Sequence, residues 1–306
     1  MMSGKRTNLL LWLVIGGSAL LFFTVSLVAL AVYFSDQEAP SFSLSMSTNQ
    51  VALLEVEGAI FDSQTFNQQL KDYGKRSGVR AIVLRLNTPG GGVAATQEIY
   101  EAVRRFRAET HKKVIASMSS VAASGGYYIA CATDRVYANP GTITGSIGVI
   151  AEWYNYGDLL RWAKMQDVVI KSGEFKDAGN PARPLTDAER AYFQRLIDGL
   201  YGQFVAAVAT SRKMPQDTVR KLADGRVYTG EEAKRLGLID DLGTLQDAIQ
   251  AAAKMSGIVG EPRIVTPAKR KLSLLDFLLG DSKAALPLPF PVDPSQSQIR
   301  FQYLWR

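Results

Sequence analysis

The pattern of apolar and polar positions alternates between strand-like and helix-like segments after residue 50. Val51–Val56 and Val79–Leu86 are short apolar runs typical of buried strands, and Phe66–Lys75 between them follows the helical period. A further strand, Lys113–Ser119, and a helix, Ala122–Ala132, continue the alternation. Strands that alternate with helices at this spacing predict βα units and a largely parallel sheet, which is an α/β fold.

A long helix is predicted in the second half of the chain. Thr186 and Glu189 have the spacing of a capping box, and the apolar positions after them keep the helical period to about Arg212. We expect this apolar stripe to pack in the core or between subunits. Val168–Lys171 is interpreted as a further strand. Pro140–Gly148 contains too many glycines for a regular element, and its backbone suits either a substrate wall or a tight corner.

The N-terminal segment Leu9–Phe34 is an apolar run without a charged residue. A helix needs about 20 apolar residues to cross a membrane, so the run predicts a transmembrane anchor, with residues 1–8 before it and 35–49 as a tether. Lys5 and Arg6 precede the run, which places the N-terminus in the cytoplasm and the rest of the chain across the membrane. A cleaved signal peptide is the alternative, although its apolar core is usually about 7–15 residues long.

Composition and charge argue against several classes of partner. The net charge is +6 at pH 7 and the basic residues are scattered, so no nucleic-acid surface is indicated. The single cysteine, Cys131, excludes an intrachain disulfide and a metal site built from several cysteines, and we expect it to fill the core. No cofactor or metal is predicted.

The residues after the tether divide into a large domain, 50–260, and a C-terminal extension, 261–306. The domain is long enough to bury a core of its own. In the extension, the basic residues 269–271 precede an apolar stretch that either rests on anionic lipid or packs on a neighbouring subunit.

The first candidate catalytic residue is Ser124, which lies between small residues where a strand meets a helix. The run Ala122–Gly126 nearly matches the G-x-S-x-G turn of serine hydrolases, with alanine in place of the first glycine. A serine nucleophile needs a base, and the only histidine, His111, lies in a charged segment typical of a solvated loop. A lysine is therefore the better candidate for the base. A tight strand–helix junction without catalytic function is the alternative.

A glycine run, Gly90–Gly92, follows the apolar strand Val79–Leu86, at the edge where parallel sheets gather their active sites. Consecutive glycines can expose N–H groups to a substrate carbonyl, and an oxyanion hole needs two such donors. The run lacks the lysine and the hydroxyl residue of a Walker A sequence, so a nucleotide site is not indicated. A plain glycine-rich turn is the alternative.

The candidate base is Lys176, at the end of Ser172–Lys176. A lysine acts as a base only when it is neutral, which requires removal from water. Phe175 could provide apolar cover, although most lysines in polar loops are solvated. Lys164 and Lys171 are local alternatives.

Several motifs occur in an order that resembles the signal peptide peptidase A family of Ser–Lys serine proteases, in its short bacterial form with one repeat. They are the glycine run, Ala122–Tyr128, Thr144–Gly148, Ser172–Asp177, and Gly225–Gly230 followed by Leu236–Asp240. The resemblance covers about residues 49–254 and the N-terminal segment. It implies a Clp/crotonase-like fold, a superhelix of ββα units, preceded by one transmembrane helix.

The resemblance also implies a function for five residues. Ser124 falls on the nucleophile, Lys176 on the general base, and Ser146 on the serine that orients the lysine. The backbone amides of Gly91 and Gly125 fall on the oxyanion hole. Together they imply a Ser–Lys dyad with an auxiliary serine.

These functions imply a membrane-anchored serine endopeptidase of the bacterial inner membrane, with its protease domain on the periplasmic side. The implied substrates are remnant signal peptides and other short apolar peptides. In longer family members two tandem repeats supply the serine and the lysine. This single repeat therefore implies a cyclic homo-oligomer of about eight subunits, with active sites shared between neighbours.

Two other functions stay open. A crotonase-type acyl-CoA enzyme would use the same oxyanion geometry, but it needs acidic catalytic residues and a cytoplasmic cofactor. A catalytically silent membrane scaffold of the same fold is disfavoured by the presence of Ser124, Ser146 and Lys176 together.

Overall fold

The computed structural model describes residues 15–18, 20–29, 49–267 and 300–305, within two compact units, Met1–Met46 and Ser47–Arg306. In the first unit, residues 15–18 and 20–29 are helical. Among the described residues, no helix is both long and apolar enough to span a bilayer. The predicted anchor and tether lie partly outside the described residues, so the anchor stays a prediction.

The second unit alternates strands and helices. Its strands are β1 (Gln50–Glu57), β2 (Val79–Thr88), β3 (Gly90–Gly92), β4 (Lys113–Ala123), β5 (Arg135–Ala138), β6 (Ile143–Gly145), β7 (Ile150–Glu152), β8 (Val227–Thr229), β9 (Asp241–Leu242), β10 (Arg263–Val265) and β11 (Arg300–Leu304). Its α-helices are α1 (Gln64–Lys75), α2 (Val93–Thr110), α3 (Gly125–Ala130), α4 (Gly157–Trp162), α5 (Asp187–Arg212), α6 (Gln216–Leu222), α7 (Gly230–Arg235) and α8 (Leu245–Met255). A 3₁₀ turn spans Glu174–Asp177.

The main sheet has the order β10-β1-β2-β4-β5-β9, and every pair along this path is parallel. Strand β6 pairs in parallel with the last residues of β4, and β8 pairs antiparallel with β6. The apolar residues of β1, β2 and β4 have no alternation because helices cover both faces of the sheet. The prediction of an α/β fold with a largely parallel sheet is therefore confirmed.

Two apolar layers enclose this sheet. Alternate residues of β2, such as Leu84 and Leu86, face the layer that contains α1, α2 and α5, whereas Ala81 and Val83 face α8. Burial of each large apolar side chain contributes about 1.5–3 kcal/mol, so these layers hold the strands in register. The carboxyl ends of β2 and β4 are thereby fixed side by side, which positions the loops that follow them.

A second, smaller sheet lies at that edge. It has three strands in the order β3-β11-β7, with β11 antiparallel to both neighbours. Its central strand comes from the C-terminal extension, and its first strand is the predicted glycine run.

The capping box predicted for the long helix is confirmed. The Glu189 amide donates to Thr186 Oγ1 at 3.2 Å, and the Thr186 amide donates to Glu189 Oε2 at 2.9 Å. Helix α5 then continues to Arg212 as the apolar period predicts.

Three local predictions are wrong. Ala122 and Ala123 belong to β4, because parallel pairing with β6 extends that strand, and the following helix spans only Gly125–Ala130. Pro140–Gly148 does contain a regular element, β6, since β4 and β8 supply its backbone partners. Val168–Lys171 is not a strand: Val168 and Ile170 are exposed, and no strand among the described residues pairs with them.

Candidate active site

Ser124 occupies a sharp turn between β4 and α3. Its backbone has φ 51° and ψ −111°, a left-handed φ that costs a non-glycine residue about 1–3 kcal/mol. The turn is held because the Ser124 amide donates to the Gly145 carbonyl at 2.8 Å. A Cβ on Gly125 would lie 2.8 Å from Thr96 Oγ1, so this position requires glycine. The turn therefore requires glycine at position 125 and holds Ser124 in a strained backbone conformation.

Ser146 lies beside Ser124 at the end of the neighbouring strand. Ala123 and Gly145 are direct partners in the parallel pair β4–β6, so the two serines leave the sheet in register. Adjacent strands are about 4.8 Å apart, so the backbones of the two serines are close neighbours. Ser146 has φ 50°, and its amide donates to the Arg226 carbonyl at 2.8 Å. Sequence reasoning named both serines, and the structure brings them together.

The amides of Gly91 and Gly125 lie on adjoining backbone segments. Ile60 donates to the Gly90 carbonyl at 2.8 Å and accepts from the Gly92 amide at 2.7 Å. Because successive residues of a strand point their backbone groups to opposite sides, the Gly91 N–H points away from Ile60. A Cβ on Gly90 would lie 2.7 Å from the amide nitrogen of Gly125. The two predicted oxyanion donors thus belong to segments in contact.

Lys176 lies apart from these groups in the single chain. It is exposed in the 3₁₀ turn Glu174–Asp177, and within residues 49–267 and 300–305 its side chain makes no hydrogen bond or ion pair. The alternative base Lys171 is already engaged, since its Nζ lies 2.5 Å from Asp177 Oδ1. The structure therefore brings together Ser124, Ser146 and the two amides, but not the lysine.

An ion-pair network fastens the turn that carries Lys176 to the start of α5. Arg183 donates to Asp177 Oδ2 at 3.0 Å and to Glu189 Oε1 at 2.5 Å. Glu189 is buried, and its hydrogen bond from Arg183 lowers the pKa of its carboxyl group to about 2. The network fixes where Lys176 leaves the domain surface.

Glu189→Gln is expected to lower the melting temperature at pH 7 and to have a much smaller effect near pH 2. The folded-state pKa of Glu189 lies below its unfolded value, so its stabilising contribution is present above about pH 4.5 and is lost as the pH falls through about 2. Hydrogen bonds to charged groups contribute about 1.5–3 kcal/mol. Thermal unfolding between pH 2 and 7 measures the difference.

Asp187→Asn is the matched control, because Asp187 is exposed in the same first turn of α5. A Glu189→Gln deficit that is equally large at pH 2 and pH 7 would contradict this assignment.

His111 is exposed and Cys131 is buried, as the sequence predicts. His111 is exposed before the first residue of β4, whereas Ser124 follows its last, so the two lie at opposite ends of an 11-residue strand. Cys131 is buried, and burial raises the pKa of its thiol to about 12. Neither is available to activate Ser124.

A cavity of about 440 Å³ opens beside Ser146. Its walls include Asp198, Asp224, Leu304 and Trp305. The sequence analysis missed the last two residues, although residues 300–305 have an apolar residue at every second position, which is a strand signal. Within the described residues, no group of three or more His, Cys, Asp or Glu side chains could hold a metal ion.

Comparison with known proteins identifies the family. Residues 107–259 match peptidase family S49. The chain is 41% identical over 211 residues to the Synechocystis sp. protein named "Putative protease slr0021", with 68% of this chain and 75% of that protein covered. It is 34% identical to the Enterococcus faecium protein named "Putative signal peptide peptidase SppA" (68% and 64% covered) and 33% identical to "Serine protease SPPA, chloroplastic" of Arabidopsis thaliana (74% and 34% covered). The chain therefore belongs to peptidase family S49, the signal peptide peptidase A family of serine-type proteases.

Proposed function

We propose that this protein is a membrane-anchored serine endopeptidase in which Ser124 is the nucleophile and Lys176 is the general base. The observation that carries the proposal is the strained Ser124 turn, with Ser146 in register beside it and two glycine backbone segments in contact next to it. Strain of this kind persists only where the surrounding structure holds it, and it is concentrated at functional sites. A Clp/crotonase-like fold for the domain is part of the same proposal.

The chemistry follows from these groups. Ser124 Oγ attacks a peptide carbonyl while Lys176 accepts its proton, and Ser146 orients the lysine amine. The amides of Gly91 and Gly125 stabilise the negative charge that develops on the carbonyl oxygen. The lysine then protonates the departing amine and activates a water molecule that hydrolyses the acyl-enzyme.

Lys176 would reach Ser124 across a subunit boundary. Its exposure in the single chain is unsuited to a base that must be neutral, so a neighbouring subunit would have to bury it. The segment before it carries large exposed apolar side chains, with Tyr154 79%, Trp162 81% and Ile170 97% exposed. Apolar surface on this scale is typical of an interface. We infer a cyclic homo-oligomer of about eight subunits with shared sites.

The proposed orientation follows from the charges around the apolar N-terminal run, whereas the bacterial inner membrane and the substrates are proposed from the family resemblance. Residues 9–34 would anchor the chain in the bacterial inner membrane, with the protease domain on the periplasmic side. Remnant signal peptides are short, apolar and close to the membrane, and they would be the substrates. The name of the Enterococcus faecium relative supports this class of substrate.

Labelling with a fluorophosphonate probe tests the nucleophile. We expect one adduct per chain, located at Ser124 by peptide mass mapping and absent in Ser124→Ala. The matched control is Ser119→Ala. Ser119 belongs to the same strand, β4, and its Oγ accepts a hydrogen bond from Arg85 at 2.8 Å. The Ser119→Ala protein should be labelled normally. An adduct that persists in Ser124→Ala would place the nucleophile elsewhere, and no adduct on the native protein would favour the silent scaffold.

A further inference from the structure

A cavity of about 370 Å³ lies at the amino ends of β2 and β4, and we call it the basic cavity. Ser124 follows the last residue of β4, so the cavity and the serine lie at opposite edges of the sheet. The lining of the basic cavity includes Arg80, His111, Lys112 and Lys113, and none of the described residues that line it is acidic. The fold therefore brings together basic residues that are separated in the sequence by the whole of α2.

The positive charges of the basic cavity are only partly balanced within the chain. Among the described residues, the guanidinium group of Arg80 has no hydrogen-bond or ion-pair partner. Burial lowers the pKa of the Lys112 amine, and the neighbouring positive charge of Arg80 lowers it further. Lys113 Nζ lies 3.5 Å from Asp134 Oδ1, but this carboxylate already accepts two N–H groups of Arg107, at 2.8 and 2.9 Å. A negatively charged ligand would relieve the repulsion between these cations.

Lys112 contributes charge to the basic cavity but no free hydrogen-bond donor. Its Nζ donates to carbonyl groups at the end of α1, those of Tyr73, Gly74 and Arg76, at 2.8–3.0 Å. The carboxyl end of a helix carries partial negative charge, which would otherwise repel an anion. An ammonium group has three donors, and here all three are used. Direct hydrogen bonds to a ligand must therefore come from other groups, and Arg80 is available.

A second donor in the basic cavity is the hydroxyl group of Ser256. Ser256 lines the cavity at the end of α8, and its Oγ is buried without a hydrogen-bond partner in the described part of the chain. A buried hydroxyl group that stays unpaired is destabilising, so a partner from outside the chain is expected. Phosphate oxygens accept hydrogen bonds from hydroxyl groups and from arginine alike, and arginine binds them in a bidentate manner.

The basic cavity adjoins the point where the N-terminal segment enters the domain. The Gln50 amide donates to the Gly78 carbonyl at 3.0 Å, and the preceding residue, Ser77, lines the cavity. In the anchored protein proposed above, residues 35–49 join Gln50 to the apolar run. A tether of about 15 residues extends to at most about 50 Å, so the anchor would keep this edge of the domain within that distance of the membrane.

We propose that the basic cavity binds the phosphate group of an anionic phospholipid at the membrane surface. Arg80 and Ser256 donate hydrogen bonds to the phosphate oxygens, and Lys112 and Lys113 supply positive charge. A volume of about 370 Å³ is larger than a free phosphate ion requires and is in the range of sites for small molecules, so it also accommodates the rest of a headgroup. The proposal rests on the membrane anchor of the proposed function and is independent of the peptidase chemistry.

Lipid binding by the full-length protein in micelles of a neutral detergent tests the site. Phosphatidylglycerol or phosphatidylcholine with the same acyl chains is titrated, and native mass spectrometry counts the bound lipids. We expect phosphatidylglycerol to bind at least tenfold more tightly than phosphatidylcholine, and Arg80→Gln to abolish most of this preference. Arg195→Gln is the matched control, because Arg195 is an exposed arginine of α5 and its loss changes the net charge equally. Equal effects of the two variants, or equal affinities of the native protein for the two lipids, would overturn the proposal.

Ser256→Ala separates lipid binding from folding. Because the hydroxyl group has no partner in the described part of the chain, its removal should leave the melting temperature of the lipid-free protein unchanged or raise it. The affinity for phosphatidylglycerol should fall about fivefold. A lower melting temperature with unchanged lipid affinity would make the hydroxyl group structural and overturn its assignment to the site.

Titration with inorganic phosphate distinguishes a lipid from a free ion. We expect inorganic phosphate to compete with phosphatidylglycerol for the native protein, but to bind far more weakly than the lipid. Inorganic phosphate that binds as tightly as the lipid would overturn the assignment to a phospholipid.

The lipid site and the proposed peptidase fail in different ways. Arg80→Gln should hydrolyse a soluble peptide in detergent with native kcat/KM, and Ser124→Ala should bind phosphatidylglycerol as the native protein does. Lipid selectivity without hydrolysis would remove the peptidase function and leave the basic cavity as a lipid site. Hydrolysis without lipid selectivity would leave the peptidase and remove the lipid site.

Discussion

Ser124→Ala is expected to lower kcat/KM for peptide hydrolysis by about 10³-fold or more, and Lys176→Ala by a similar factor. The physical reason is that a serine hydroxyl group is a weak nucleophile without an adjacent base, so removal of either partner removes the same activated species. A loss of 10³ corresponds to about 4 kcal/mol of transition-state stabilisation. Steady-state hydrolysis of a fluorogenic peptide, with melting temperatures measured in parallel, checks both variants.

Three controls separate the dyad from its surroundings. His111→Ala should retain nearly full activity, since His111 lies at the opposite end of β4. Lys171→Ala removes the ion pair with Asp177 and should weaken the enzyme much less than Lys176→Ala. Ser146→Ala should also cost less, because it removes orientation of the base and not the base itself. Near-normal turnover by Lys176→Ala at any pH would show that another group is the base.

The parts of the fold that the sequence predicts are those with local signals. Strands β1, β2 and β4 are apolar runs buried on both faces, and the capping box at Thr186 is a contact between residues three apart. Ser124 could be predicted as a candidate nucleophile from the sequence, because its small neighbours are typical of the sharp turn, with a left-handed φ, in which it lies.

The errors arise where distant partners decide the structure. Gly145 belongs to a strand only because Ala123 and Val227 pair with it. The run Val168–Lys171 has the composition of a strand, but no strand in the described part of the chain lies beside it, and Ile170 is almost fully exposed. Its apolar side chains are of the kind that is usually buried, but a single chain leaves them exposed. Exposed apolar residues of this kind are typical of a surface between subunits. β11 was missed because its partners, β3 and β7, are far away in sequence.

The exposed position of Lys176 also agrees with the proposed surface between subunits. The Asp177–Arg183–Glu189 network holds its turn on the domain while leaving the lysine exposed. In the shared site that we propose, Lys176 would enter the site of a neighbouring subunit, and the cavity of about 440 Å³ beside Ser146 is of a size to receive a side chain. A head-to-tail contact that repeats this relation around a ring would complete every site.

Mixing inactive Ser124→Ala and inactive Lys176→Ala proteins is expected to restore activity. In a ring assembled at random from equal amounts, about one junction in four joins an intact Ser124 on one subunit to an intact Lys176 on the next, so about one quarter of native activity should return. Exchange is allowed by mild dissociation and reassembly, and it is verified by native mass spectrometry of subunits with different isotopic masses. Ser124→Ala mixed with the double variant Ser124→Ala, Lys176→Ala is the matched control, because no junction then contains an intact serine. Proven exchange without recovery, or a fully active monomer, would exclude the shared site and require Lys176 to reach Ser124 within its own chain.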